Sequence, residues 1–183
     1  MGEITELLRR AARGESEVHD PLYRLLYPEL MQLACIRLAN AGSISLDPGE
    51  ILHEAWLRMV NVDAAPKANR RAFFGYASHV MRSVIVDYVR GRDAVKRGGD
   101  QERVTISGSM PGAQFLDSPI DALDQAMTRL KDLDERVCRV VEMRYFGGMT
   151  EHEIADVLDV SVATVQRDWR KARMFLFEQL GMN

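Results

Sequence analysis

Residues 150–173, TEHEIADVLDVSVATVQRDWRKAR, hold the side chains whose types and spacing could do the most chemistry in this chain. Thr150 and Glu153 are the two ends of a capping box, in which each side chain accepts from the other residue's backbone N–H and so starts a helix. Ala155 is small where two helices must cross closely, Asp159-Val160 supplies a turn, and Ser161 caps the helix that follows. On that second helix Val162, Val165 and Trp169 fall at i, i+3 and i+7 as one inward stripe, which leaves Thr164, Gln166, Arg167, Arg170 and Lys171 outside. A helix so decorated presents its N-terminal side chains to base edges and its later Arg and Lys to phosphates. The chemistry is recognition of duplex DNA by hydrogen bonds and charge. An ordinary helical hairpin is the competing reading of the same spacing.

Catalytic patterns are weaker. His53-Glu54 and His152-Glu153 look like fragments of a metal site, but neither has the second His four residues later that a zinc hydrolase needs. No glycine-rich phosphate loop follows a strand, because no strand pattern is present. Neither an enzyme activity nor a metal or cofactor is expected. Cys35 and Cys138 lie far apart in apolar helical patterns without a CxxC pair, and they read as reduced core thiols.

Charge is segregated. The net −3 conceals nine basic against four acidic side chains in residues 66–103, flanked by six against ten in 1–65 and two against six in 104–135. A local basic block beside acidic ones suits a nucleic-acid surface next to a partner surface of the other sign.

These groups need a scaffold, and nearly every periodic segment predicts helix. The expected fold is all-α: two small helical domains, 1–95 and 118–183, joined by a flexible linker at 96–117. The linker, KRGGDQERVTISGSMPGAQFLD, has four glycines and a proline and keeps no apolar period. A first helix spans about 3–13 and ends at Gly14. A second opens at Asp20-Pro21 and buries Leu22, Leu25, Leu26, Leu30, Leu33 and Leu38, with Pro28 kinking or splitting it. A third starts at Asp47-Pro48 with Ile51, Leu52, Ala55 and Met59 inward. A fourth runs from about 69 to 90, burying Phe73, Ala77, Val80, Val84 and Tyr88, with Gly91 as its stop. Ser118-Pro119 opens the next helix, Asp134 caps another through Val137, Val141 and Met143, and Gly147-Gly148 precedes the helix-turn-helix. In 183 residues no run approaches the roughly 20 apolar residues of a membrane helix. The start, MGEITELLRRAARGE, lacks the basic-then-apolar order of a secretory signal, which points to the cytoplasm and to no membrane partner.

From about Tyr23 to Leu180 the chain resembles a bacterial sigma-70 family factor of the extracytoplasmic-function (ECF) type, with only regions 2 and 4. The segments that carry the resemblance are LDERVCRVVEMRYFGGMTEHEIADVLDVSVATVQRDWRKAR and FFGYASHVMRSVIVDYVRGRDAVKRGG. The second is similar to the region 2 stretch that recognises and opens the promoter. The resemblance implies two partners, core RNA polymerase and promoter DNA, with region 2 on the minus-ten element and region 4 on the minus-thirty-five element. Two rivals are a sigma mimic that sequesters an anti-sigma factor and a stand-alone helix-turn-helix regulator. The basic block at 90–97 speaks against the mimic, which needs no phosphate contacts.

By the same resemblance, residues 69–103 must hold displaced bases beside a basic track. Arg82, Arg90, Arg92, Lys96 and Arg97 supply the track, and Tyr76 and His79 stand ready to stack or hydrogen-bond near a base. Asp87 belongs to the structural polar set of that helix. In region 4 the contact set is Ser161, Thr164, Gln166, Arg167, Arg170 and Lys171. Many members carry Gly where this chain has Asp159 and a basic residue where it has Asp168. Asp168 beside phosphates would repel them, so its replacement by Arg is expected to tighten upstream binding. Segment 46–60 corresponds to the polymerase-binding helix, with Asp47, Glu50 and Glu54 as its acidic contacts. A subgroup with a His-Glu-Ala step here includes members controlled by a Ser/Thr kinase, but Gly49 stands at the aligned threonine. Ser43 and Ser45 lie close by. The resemblance leaves three regulators open: an anti-sigma factor, a Ser/Thr kinase, or the expression level of the gene itself.

Overall fold

A computed structural model describes residues 2–38, 47–60, 69–95 and 119–181. Among these residues there are eight α-helices and no β-strand, so the all-α expectation holds. They are α1 (Glu3–Ala12), α2 (His19–Leu38), α3 (Pro48–Val60), α4 (Arg70–Val95), α5 (Ile120–Leu133), α6 (Glu135–Val141), α7 (Glu151–Leu158) and α8 (Val162–Gln179). A 3-10 turn, Ser16–Val18, leads into α2, and a π-helical turn, Glu142–Phe146, continues α6. The expected linker, Lys96, Arg97, Ser43 and Ser45 lie outside the described residues, as do the side chains of Leu33, Leu38 and Arg92.

The helices begin where polar side chains meet their free N–H groups. Asp47 Oδ1 accepts from the Gly49 backbone at 2.8 Å, Asn69 Oδ1 from Ala72 at 2.9 Å, and Asp134 Oδ1 from Val137 at 3.2 Å. Each such cap is worth about 1 kcal/mol.

Four expectations shift. Pro28 sits inside α2 without dividing it, and Leu22, Leu26 and Leu30 are buried while Leu25 is 37% exposed. Cys35 is exposed; only Cys138 is a core thiol. Burial pushes the Cys138 thiol up to about 12, which keeps it protonated and inert. Finally, α4 does not stop at Gly91 but continues to Val95. A glycine inside a helix costs roughly 1 kcal/mol relative to alanine, and the burial of Val86 and Val89 in the preceding turn outweighs it.

α4 is the central helix. Phe73, Phe74, Ala77, Val80, Met81, Val84, Ile85, Val86 and Val89 are buried around it, save for the arc that carries Tyr76, His79, Ser83, Asp87 and Arg90. A helix with so wide an apolar arc must be packed from more than one side. α3 covers one side, and the π-helical turn, α5 and α7 cover the other. The buried residues of the N- and C-terminal halves therefore join in one continuous cluster. The approach is closest at Gly147, where a Cβ would lie 2.0 Å from Ser78 Oγ of α4. Gly147 is there because no side chain fits.

Candidate nucleic-acid interface

α7 and α8 build the helix-turn-helix as the sequence spacing requires. Thr150 Oγ1 accepts from the Glu153 backbone at 3.3 Å, and Glu153 Oε2 accepts from the Thr150 backbone at 2.9 Å. The Thr150 backbone bond is the main reason the Glu153 carboxyl is held below its ordinary range. Asp159 ends α7 in the left-handed region at φ 53, ψ 50, which Asp adopts at roughly 1 kcal/mol. Ser161 Oγ then caps α8 by accepting from the Thr164 backbone at 3.2 Å.

On α8 the buried side chains are Val165, Asp168, Trp169, Ala172 and Leu176, one stripe at i, i+3, i+4, i+7 and i+11. Val162 is only half-buried. Gln166, Arg167, Arg170 and Lys171 are exposed on the opposite face, and Ser161 is exposed at its start. Thr164 is half-buried, with its hydroxyl 3.0 Å from Ser161 Oγ.

Asp168 is a correction. It is 0% exposed and accepts from Arg136 Nε at 2.7 Å and Nη2 at 3.3 Å. It ties α8 to α6 and lies nowhere near the outward face, so it cannot repel phosphates there. The clue was in the spacing: Asp168 stands three residues after Val165 and beside Trp169, within the inward arc.

Sequence reasoning also missed a network beneath the outward face. Arg144 Nη1 donates to Glu151 Oε1 at 2.7 Å, and Gln166 Nε2 donates to Glu151 Oε2 at 2.7 Å. The Arg144 guanidinium carbon lies 4.6 Å from the Trp169 ring centroid. The Gln166 bond, followed by Arg144, holds the Glu151 carboxyl below its ordinary range against the opposing effect of burial. Because an ionised carboxylate only accepts, Gln166 must turn its NH2 toward Glu151 and leave its carbonyl oxygen for an outside donor.

The basic track on α4 presents a different picture. Arg82 is 8% exposed; its Nη1 donates to Glu142 Oε1 at 2.7 Å and its Nη2 to Asp124 Oδ1 at 2.6 Å. The expectation of an open basic surface is corrected there, because both partner carboxylates arrive from the C-terminal half. Arg90 donates to Asp121 Oδ1 at 3.1 Å and Asp124 Oδ2 at 2.9 Å. His79 Nδ1 lies 3.1 Å from Glu142 Oε1, and Tyr76 is half-buried against the core. Burial desolvates Arg82, yet the carboxylates beside it raise its pKa overall.

Glu142 is 5% exposed, and burial alone would raise its carboxyl. Bonds and charge from His79 and Arg82 outweigh that and hold it below the ordinary 4.5. A group whose folded value is depressed contributes stability that is complete above its unfolded value and is lost as pH falls through the folded one. The parent protein is therefore expected to lose its stability advantage over Glu142→Gln as pH drops below about 4. Denaturant unfolding of both proteins from pH 7 to 3 checks this; a difference that stays constant over that span counts against it.

On α3 an exposed stripe carries Glu50, His53, Glu54 and Leu57. Glu50 accepts from Tyr88 Oη at 3.0 Å, and Glu54 from Arg58 Nε at 3.0 Å. Arg58 Nη1 also donates to Asp87 at 2.7 Å, which gives Asp87 the structural role expected of it. Among the described residues, no group of three or more His, Cys, Asp or Glu side chains is placed to hold a metal, and no helix is long and apolar enough to cross a membrane.

Compared with known families, the chain matches the model described as ECF sigma factor over residues 1–182. No individual curated protein matches it.

Proposed function

The chain belongs to the ECF sigma factor family, and from that premise we propose that it binds core RNA polymerase and directs it to a set of promoters. Two domains, 1–95 and 118–183, share the work through the linker at 96–117. The first reads the minus-ten element and the second the minus-thirty-five element.

One observation carries this reading beyond the family: a helix-turn-helix with both caps formed, whose second helix exposes Gln166, Arg167, Arg170 and Lys171 on one face. Ser161 and Thr164 sit at the start of α8, near base edges, and the three cations follow along the phosphate track. On the other domain Tyr76, His79, Arg82, Arg90, Arg92, Lys96 and Arg97 form the minus-ten face once it is free. Asp47, Glu50 and Glu54 meet polymerase from α3, and the exposed Leu57 adds apolar area to that stripe. Run-off transcription with core polymerase on genomic fragments tests the proposal. Specific transcripts that require the protein are expected; none from a full promoter library would favour a mimic, and tight binding to duplex DNA without polymerase would favour a stand-alone regulator.

Glu151 has a positioning role in this reading, since it fixes which end of the Gln166 amide faces outward. Glu151→Gln frees that amide to flip. Discrimination at the base Gln166 reads is expected to fall about ten-fold, the lower end of the 1–3 kcal/mol carried by a good base contact. The salt slope should not move, because no phosphate contact changes. Binding to a set of upstream elements varied at each position checks both halves of the statement.

A further inference from the structure

We propose that a cleft between α4 and α6 binds a small organic acid, with its apolar body at one end and its carboxylate at the other. The cleft holds a cavity of about 340 Å³, within the range of ordinary small-molecule sites. Its walls come from α4, α5, α6, the π-helical turn and α7, and it takes nothing from the outward face of α8. The site therefore stands whether or not the sigma factor reading does.

Small residues keep the space open. α4 offers Ala72, Gly75, Tyr76 and His79 at i, i+3, i+4 and i+7, one stripe on one face. Glu135, Cys138, Arg139 and Glu142 face them at the same spacing. Facing stripes normally interdigitate, but Ala72, Gly75 and Cys138 are too short to fill the gap between these two. A Cβ at position 75 would already lie 3.2 Å from Val157 Cγ1 and 3.5 Å from Met143 Sδ, so a longer side chain there would occupy the cavity itself.

The two ends differ in character. Gly75, Met143 and Val157 make one end apolar, while His79, about 6 Å further along α4, stands at the other beside Glu142. The Glu142 carboxylate is already met by Arg82 and His79. Lys131 and Arg139 also line the cavity, are exposed, and have no ion pair among the described residues. Against these two cations the described lining sets one further carboxylate, Glu135, so a positive charge is left over for an anion. Burial raises the Tyr76 hydroxyl above its ordinary range, which keeps it protonated and able to donate to a carboxylate. The Tyr76 ring and the Met143 sulfur beside it suit an apolar body that is aromatic.

Benzoate, naphthoate and octanoate are the probes, titrated into the full chain without DNA or polymerase. At least one is expected to saturate a single site with a Kd below about 1 mM, and to raise Tm as its concentration rises because it binds the folded chain. The neutral amide of that probe should bind at least about ten-fold more weakly, since a hydrogen bond to a charged group is lost. Lys131→Gln with Arg139→Gln should weaken the acid by a similar factor; both positions are exposed, so the fold is kept. Ala72→Leu fills the space without removing a charge and should abolish binding. If that variant does not fold, the exposed pair decides alone. Lack of saturation by all three probes, an amide that binds as tightly as its acid, or parent-like binding by either folded variant overturns the proposal.

Discussion

Asp168→Arg is expected to unfold the C-terminal half rather than tighten DNA binding. The position is 0% exposed, its natural partner is Arg136, and the substitution sets two guanidinium groups against each other in a space shaped for one carboxylate. Arg136 itself is 44% exposed, so the attraction lost with the pair is screened by water and is the smaller part of the effect. The larger part is a buried cation without a partner, for which about 3–5 kcal/mol is typical. Domains of this size have about 5–15 kcal/mol in all, so the loss takes a large share. Asp168→Asn keeps the shape and one hydrogen bond, and should lose about 1–3 kcal/mol. Thermal unfolding followed at Trp169 reads both. A stable Asp168→Arg protein with stronger upstream binding would restore the view that this residue faces DNA.

Replacing Arg167, Arg170 and Lys171 together by Ala should leave the fold intact and remove most of the upstream contact. All three are exposed, and the bond from Arg170 Nε to the Gln166 carbonyl, at 3.4 Å, is too long to matter for stability. Affinity scales with salt to a power of about −0.9 per phosphate contact, so each contact is worth about five-fold at 0.15 M salt and the three about a hundred-fold. The salt slope should fall by about three units, equally for preferred and random duplexes. The measurement is binding of a minus-thirty-five duplex across salt concentrations. A slope within half a unit of the parent would place the phosphate track elsewhere.

These two substitutions show how unevenly the site was legible. The capping box at Thr150, the turn at Asp159 and the cap at Ser161 were readable because each is closed by groups within three or four residues of one another. The outward face of α8 was readable from period alone. Asp168 has the period of a buried residue and the chemistry of an exposed one, and in the fold the period prevails because Arg136 supplies the partner that burial requires. Glu151 and Gln166 gave no signal, because they are fifteen residues apart on different helices.

The α4 arginines mark the limit. The wide apolar arc of Phe73–Val89 required a helix packed from more than one side, but it did not say against what. Arg82 meets Glu142 and Asp124 across sixty and forty-two residues, and Arg90 meets Asp121 across thirty-one. By itself the sequence determined the all-α class, the helix starts and the outward face of the recognition helix, since caps and period are local and the backbone must obey them. Only the tertiary structure decided which cations are free. An arginine's availability depends on the carboxylates that folding brings beside it, and no local spacing records where a distant segment will come to rest.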